Sequence, residues 1–567
     1  MKKCFSLLLI VLLLFVPAMI VPADQAETTD AAAAAFPAGD PKDVAAVILH
    51  TNDVHVGYQD NIGYDGLALY KKELQKIYDH VLLVDAGDAI QGAALGALSK
   101  GAEIIKMMNE VGYDLAIPGN HEFDFGFDVL DDCAEKLSCG YTCANFCTAD
   151  EEPVFKPWRI LEAGDLKIGF VGAVTPDTFT RSAIKDIVDE VGQPMYDFLA
   201  DRTGDRLGAA LQQRIDEVRA NGADKVILVA HLGSKKNYDS IYSSNAIAAK
   251  LTGLDAVIDG HTHEIYNTQI PDKEGNMIPI AQVGTKLPKI GQLTIYKDGH
   301  LEETLVDPVP LLEGIDAETA VRKDVERAVD PATKTFLDGI TKSYARIMDR
   351  KVGTLAVDLI KMDDSTDYSR TGENGLCDLV ADAFRVIGNA DASLIVAGTV
   401  RTNLLAGDVA CRDIINILPY CNKLITVRVG GRTIRDALES GVSFLPKQSG
   451  GFPQVSGLTY TIDESIDSSV SMDEKQQFIS VDGARRVSDV TIGGKPLDLN
   501  GSYKFAINDY LLTGGNGYMM FKDAEIVSDP QLADNETLIS YIERCLNGVI
   551  PAFYEAPQGR ITKKTAA

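Results

Sequence analysis

Positive charge is in short supply in this chain: 54 Lys and Arg stand against 82 Asp and Glu, a formal net charge of -28 at pH 7. A surface of that sign repels nucleic-acid backbones and anionic membranes, so no nucleic-acid partner is expected, and an anionic small molecule would have to be drawn in by local cations. Long apolar runs are missing too. Past residue 23 no segment approaches the ~20 apolar residues that span a bilayer, and no hydrophobic tail follows Lys564, so no stable membrane insertion is expected. Paired CxxC spacing is absent from the nine cysteines, which disfavours a zinc knot built from Cys133, Cys139, Cys143 and Cys147. Those four, with Cys377, Cys411, Cys421 and Cys545, leave disulfides and free thiols both open, and the pairing is not readable from sequence. Histidine is scarce, with eight residues in 567.

What is present begins with Lys2 and Lys3, the apolar stretch Phe5 to Val16, Pro17, and a small residue at Ala23. A basic start, a short apolar core and a small residue after a turn describe a secretory signal over 1–23. Residues 24–43, rich in Ala, Thr, Asp and Pro without apolar period, read as a flexible leader. The mature chain is therefore expected to be secreted, extracellular or in the cell envelope, with a fold starting near Val44.

From there the scarce histidines are not scattered. Five short apolar runs end in turns that carry polar groups: Val44 to Leu49 leads to Asp53 and His55, Val81 to Val84 to Asp88, Tyr113 to Ile117 to Asn120 and His121, Val226 to Ala230 to His231, and Ala256 to Ile258 to His261 and His263. One histidine beside a strand is commonly a hydrogen-bonded boundary residue; five of eight on strand-end turns beside Asp or Asn are not explained that way. Groups gathered beyond strand ends mark the site position of an α/β sheet. Mixed imidazole and carboxylate donors suit borderline divalent metals, and their number exceeds what one tetrahedral ion uses, so two ions are expected.

Between these turns the period changes to helical. Ala102 to Val111 sets Ile104, Ile105, Met108 and Val111 on one face, and Leu207 to Val218 does the same with Leu207, Leu211, Ile215 and Val218, which together predict a layered α/β domain over 44–316 with the methionines in the core. Short strands around Gln282 to Tyr296 close it. Residues 317–350 are charged with a helical period and predict a connecting helix, and 351–563 form a second domain.

The motifs His50-Thr-Asn-Asp53-Val-His55, Asp85-Ala-Gly-Asp88, Gly119-Asn-His-Glu-Phe-Asp124, Ala230-His231 and Gly260-His-Thr-His263 resemble, in order, those of calcineurin-like metallophosphoesterases, and most of all the bacterial 5'-nucleotidase and UDP-sugar hydrolase family. The second domain resembles that family's substrate-binding domain through Asn374 to Phe384, Gly398-Thr-Val-Arg401, Leu418-Pro-Tyr-Cys-Asn422, Gly450 to Gly457 and Asn508 to Gly517. The resemblance covers nearly the whole mature chain. It implies an α/β-sandwich dimetal phosphoesterase domain followed by a smaller α/β substrate-binding domain.

The resemblance also implies roles. Two divalent ions, zinc, manganese or similar, are bridged by Asp88; Asp53, His55 and His263 serve one, and Asn120, His231 and His261 the other. A hydroxide held between the ions attacks phosphorus, and His121, its tautomer fixed by Asp124, stabilises the transition state or protonates the leaving oxygen. Tyr420 and Tyr510 clamp a nucleobase, Arg370 and Arg401 hold the phosphate, and Asn422 and Asn516 contribute to substrate binding. The chain departs from the family pattern at Val396 and Thr399, where Asn and Gly are usual, at both tyrosines, where Phe is commoner, and at Asn516, where an acid is expected. The expected activity is removal of the 5'-phosphate from nucleoside monophosphates. The alternatives are UDP-sugar diphosphatase or 2',3'-cyclic nucleotide phosphodiesterase within the enzymes and, from another class, a non-catalytic surface nucleotide-binding protein.

Overall fold

A computed structural model describes residues 40–178, 195–234, 240–307, 329–363, 366–473 and 477–564. The expected secretory signal, most of the expected leader and residues 317–328 of the connector lie outside the described residues. The leader's last residues differ from expectation: Asp40 caps a 3-10 turn, Pro41–Asp43, by accepting from the Lys42 N–H, and the first strand follows directly.

In the first domain β1 (Val44–Thr51), β2 (Val81–Asp85) and β3 (Leu115–Ala116) run parallel. The short β4 (Cys147–Thr148) is followed by β5 (Trp158–Ala163), β6 (Leu166–Val174), β7 (Tyr196–Asp197), β8 (Lys225–His231), β9 (Ala256–Ile258), β10 (Ile265–Pro271), β11 (Met277–Val283), β12 (Ile290–Tyr296) and β13 (Leu301–Val306). Two sheets result, ordered β13-β12-β1-β2-β3 and β10-β11-β9-β8-β6-β5, while β4 pairs with β7. In the second sheet β6, β8, β9 and β11 are parallel neighbours.

The side-chain alternation of strands explains the layering. On β1, Ala46 and Ile48 join Val84, Ile227, Val229 and Ile258 in a core between the sheets. Val47 and Leu49 point the other way, into a core with Leu67, Ile104, Ile105, Met108 and Leu130 from helices Gly63–Leu74, Ala102–Val111 and Phe127–Lys136. Val226, Leu228 and Ala230 of β8 meet Leu207, Leu211, Ile215 and Val218 of helix Asp205–Ala220. Strands buried on both faces need continuous apolar runs, which is why these segments stand out in the sequence. Truncating one such residue, Ile48→Ala, would cost about 2–5 kcal/mol.

The four cysteines Cys133, Cys139, Cys143 and Cys147 are buried free thiols in and beside the helix-side core, and Cys377, Cys411 and Cys545 are free as well. Helix Pro331–Met348, capped by Asp330, makes up most of the described part of the connector, and strand Lys351–Leu355 opens the second domain. There a five-stranded sheet, in the order Pro453–Ser456, Ala392–Val396, Ser502–Asn508, Leu424–Gly430, Glu525–Ser528, carries helix Gly375–Ile387 on one face and helix Gly431–Gly441 on the other.

Candidate active site

The parallel strands β1, β2, β3, β8 and β9 all deliver their polar turns to one edge. Asp53, His55, Asp88 and His263 bring one ligand atom each within 4.8 Å of one another. His55 Nε2 lies 3.1 Å from His263 Nε2 and 3.6 Å from Asp88 Oδ2, and His263 Nε2 lies 3.3 Å from Asp53 Oδ1. The same Asp88 oxygen stands 3.1 Å from His231 Nε2, so one carboxylate faces both groups of ligands. Asn120 Oδ1 and His261 Nδ1 sit 2.9 Å apart.

Hydrogen bonds at the far ring atoms fix which nitrogen is left for the site. His55 Nδ1 donates to the Gln91 carbonyl at 2.9 Å and His231 Nδ1 to the Ala86 carbonyl at 2.7 Å, leaving Nε2 of each inward. His231 Nε2 is buried and faces Asp88 Oδ2 at 3.1 Å without hydrogen-bonding geometry. Imidazole nitrogens turned inward on buried carboxylates are the donor set a divalent cation satisfies, so these residues fit a metal ion.

The electrostatics agree. Burial alone would raise the Asp53 carboxyl, but the His263 and His231 imidazoles overcome it and hold it at about 2. Burial pushes the His55 imidazole down to about 3. His231 is driven the other way, up to about 10, because Asp88 and Asp53 outweigh its burial. The Asp53 and Asp88 carboxyls, both held below the usual carboxylate range by the surrounding imidazoles, give the cluster its negative charge.

His121 borders that cluster without being part of it. Its backbone N–H donates to Asp88 Oδ1 at 2.8 Å and its ring Nδ1 bonds Asp124 Oδ2 at 2.6 Å. Burial would lower its pKa, but Asp124 and Asp88 reverse that and raise it. The second domain reaches it here: the Tyr420 ring lies 5.7 Å from the His121 ring, tilted by 31°, and the Arg401 guanidinium lies 5.6 Å from the Tyr420 ring centre. Burial pushes the Tyr420 hydroxyl up to about 12, with Arg401 and Arg370 pulling against it.

The remaining candidates surround one loop of the second domain. Arg370 Nη1 would be 3.9 Å from a Cβ on Gly450, and Asn516 would touch one on Gly451. Asn516 N donates to the Tyr510 hydroxyl at 3.0 Å, and the Tyr510 ring covers Gly515 so closely that no Cβ fits there. Asn422 is buried, with its Oδ1 lacking a partner and its carbonyl accepting from Asp534 N.

Several supporting residues escaped the sequence reading. Glu122 is fully buried and its two oxygens accept from the N–H groups of Asp88, Ala89, Ile90 and Gly119 at 2.6–3.2 Å, fastening the turn that carries Asp88. Burial pushes its carboxyl up to about 7, Asp88 adding to the rise. Asn52 donates to Asp53 Oδ2 at 2.6 Å while bridging to Gly284 and Val283. The residue at 119 must be glycine because a Cβ there would lie 2.2 Å from Asp88 Oδ1. Adjacency to the ligands, as in Asn52-Asp53 and Gly119-Asn-His-Glu122, was the available signal.

With this geometry in place, comparison with known proteins is specific. Residues 46–264 match the calcineurin-like phosphoesterase family and residues 351–523 the 5'-nucleotidase C-terminal domain. A trifunctional nucleotide phosphoesterase of Bacillus subtilis is 26% identical over 553 residues, 89% of this chain and 34% of that much longer protein. The 5'-nucleotidase of Vibrio cholerae is 26% identical over 554 residues, covering 91% of this chain and 92% of its own, and the bovine 5'-nucleotidase is 24% identical over 564 residues, covering 91% and 90%. Among solved structures, a 5'-nucleotidase precursor from Thermus thermophilus shares the fold at a TM-score of 0.72 and 22% identity, over 92% of this chain and 100% of the other. A Thermus sulfate thiohydrolase shares it at 0.64 and 17%, over 94% and 98%. Phosphoesterase ligand turns in one domain and the matching C-terminal domain after it make this chain a phosphoric ester hydrolase of the 5'-nucleotidase family.

Proposed function

We propose that the protein is a secreted, metal-dependent phosphohydrolase that removes the 5'-phosphate from nucleoside monophosphates. The observation that carries the reading is the meeting of Tyr420 and Arg401 with His121 beside the buried Asp and His cluster. An aromatic for a base, a guanidinium for a phosphate and a metal-ligand set at one place describe a nucleotide whose phosphoryl end is the reacting end. Export is supported by the N-terminal signal pattern, and the nucleotide reading by the names of the relatives.

Asp53, His55 and His263 would hold one divalent ion, Asn120, His231 and His261 another, with Asp88 shared because its Oδ2 faces both His55 and His231. Bound there, the ions supply a nucleophile from water at neutral pH and offset charge on the phosphoryl oxygens. His121 holds its proton relay in one orientation: with Nδ1 committed to Asp124, Nε2 is the atom free to hand a proton to the departing 5'-oxygen. Arg401 and Arg370 orient the phosphate, since a planar guanidinium matches two of its oxygens at once. Tyr420 and Tyr510 grip the base, a contact that tolerates different bases because each presents a π face.

The test is a substrate panel of nucleoside monophosphates, UDP-glucose, 2',3'-cyclic nucleotides and an aryl phosphate, run with a series of divalent ions. The expected result is the highest kcat/KM on a 5'-monophosphate. Preferential cleavage of UDP-glucose or a cyclic nucleotide would replace this reading with the corresponding alternative, and no phosphate release with any ion would leave a binding protein.

A further inference from the structure

Lys361 is a charged side chain buried in the second domain, with 1% of it exposed, and the first domain's chemistry makes no use of it. Its Nζ bonds Asp367 Oδ2. The same oxygen accepts from Arg370 Nε at 2.8 Å, while Asp367 Oδ1 accepts from Ser369 N and Ser369 Oγ at 3.2 and 2.7 Å. Asp367 is thus saturated and 9% exposed, whereas the Arg370 side chain is 32% exposed. Among the described residues, the Arg370 Nη atoms have no ion-pair partner, and Nη1 lies beside the Gly450 loop.

This arrangement differs from an ordinary Arg–Asp pair. A carboxylate facing a guanidinium alone aligns it but also cancels its charge, which is a disadvantage for a group that must attract a phosphate. Here Lys361 shares the carboxylate oxygen, so the trio keeps one net positive charge, and that charge sits on the exposed member. Burying a lysine carries a desolvation cost that an apolar residue would avoid.

The frame around the trio is tied to the other arginine. Asn403, two residues past Arg401, accepts from Lys361 N and Met362 N at 2.8 and 3.0 Å and donates to the Met362 carbonyl at 2.9 Å. Gln454 Nε2 donates to the Ser369 and Gly372 carbonyls on either side of Arg370, at 2.9 and 2.7 Å.

We propose that Lys361 and Asp367 are positioning residues for phosphate recognition: Asp367 aims Arg370 through its Nε, and the buried ammonium of Lys361 neutralises Asp367 so that Arg370 presents its full charge to the substrate. The proposal rests on the reading of Arg370 as a phosphate-binding residue. Its consequence is that removing a charge outside the substrate's reach weakens phosphate binding through Arg370 alone.

The experiment compares Lys361→Met, Lys361→Met with Asp367→Asn, Arg370→Ala, and Lys361→Met with Arg370→Ala in the full metal-loaded chain. It measures kcat and KM for AMP, the inhibition constant of inorganic phosphate, and the Tm. Lys361→Met is expected to raise KM and the phosphate inhibition constant about tenfold with kcat within about twofold, since it exposes Arg370 to an uncompensated carboxylate. The double change to Met and Asn, which leaves a neutral acceptor for Nε, should return both constants to near wild type. Adding Lys361→Met to Arg370→Ala should change neither constant further, the signature of two residues acting through one another. A purely structural pair would instead lower Tm and affect the constants equally with or without Arg370, and that result overturns the proposal. Weaker phosphate binding in Arg370→Ala but not in folded Lys361→Met also overturns it, whereas unchanged binding in Arg370→Ala removes the underlying phosphate reading. If Lys361→Met does not fold, the Met and Asn variant decides: a phosphate inhibition constant near wild type supports the proposal, and a tenfold rise or a second failure to fold assigns the pair to the core and rejects it.

Discussion

The two domains prepare their polar groups by opposite means. In the first, short side chains are aimed by backbone in the sterically expensive left-handed region: Asp53, His55, Asp88, His261 and His263 have φ of 49, 46, 60, 85 and 57°, each costing of order 1–3 kcal/mol. In the second, Arg370, Arg401, Tyr420 and Tyr510 sit on ordinary backbone, and long side chains carry the reach; among the candidates there only Asn516, at 52°, shares the feature. The difference teaches where rigidity is needed. On the proposed assignment, most ligands for a small cation, which tolerate little displacement, are fixed through the main chain, while groups proposed to meet a larger organic molecule are steered by side-chain partners.

The sharpest way to break that contrast is Asp88→Ala. It removes the carboxylate shared by both ligand groups, so bound metal and turnover should fall together, by at least about 10³-fold in kcat on every substrate. A variant that keeps its metal and a near-normal rate, by metal analysis and steady-state kinetics, refutes the assignment.

His121→Ala comes next. It should keep its metal and its KM yet lose about 10²- to 10⁴-fold in kcat, the range for a proton-transferring group; loss of metal instead would make His121 a ligand.

On the other side of the contrast, changing both Tyr420 and Tyr510 to Ala should raise KM for AMP by roughly 1–3 kcal/mol per lost stack and leave an aryl phosphate nearly unchanged. Equal losses on both substrates would show that the rings only support the fold.

Glu122→Gln tests whether the backbone of the Asp88 turn needs its buried anchor. An amide replaces one of two acceptor oxygens with a donor, and metal affinity should weaken about 10- to 100-fold, read by competition with a chelator; unchanged affinity would make Glu122 a bystander.

The smallest effect concerns the second domain's pH response. Burial raises the Asp378 carboxyl to about 8, against the pull of Arg560. The folded domain therefore keeps a proton that the unfolded chain releases above about pH 4, so this group's contribution to stability is full below pH 4 and declines as pH rises towards 8. In Asp378→Asn that part of the decline should vanish from a Tm series; an identical pH slope in both proteins would refute it.

The first domain was the more legible of the two. Strands buried on both faces wrote continuous apolar runs, and the polar residues that follow them, Asp53, Asp88, Asn120, His231 and His263, stood out by their place at the strand ends. Helices Ala102–Val111 and Asp205–Ala220 were readable because one face must be apolar. Partners that act at long sequence separation left no such mark. Asp85 receives Thr51 and Gly87, and Gln454 spans the Arg370 turn from 84 residues away, which period and spacing do not encode. Nothing in the sequence around Lys361 marks it as buried; only the packing shows it. The proposed nucleobase clamp rests on resemblance alone, because a single tyrosine has no local pattern that separates a clamp from a packed ring.

One contact between the domains offers a clock for their separation. The amide of Ala94, at the start of helix Ala94–Ser99 in the first domain, donates at 2.9 Å to the side-chain oxygen of Asn416, which lies on helix Cys411–Ile417 of the second. Any parting of the two domains must surrender that bond and hand the Ala94 N–H to water, whereas amides inside β1 or β8 are untouched. Deuterium uptake at Ala94, set against uptake in those strands, therefore counts openings directly, and a slowly released nucleotide should lower that count in proportion to the time it keeps the domains together.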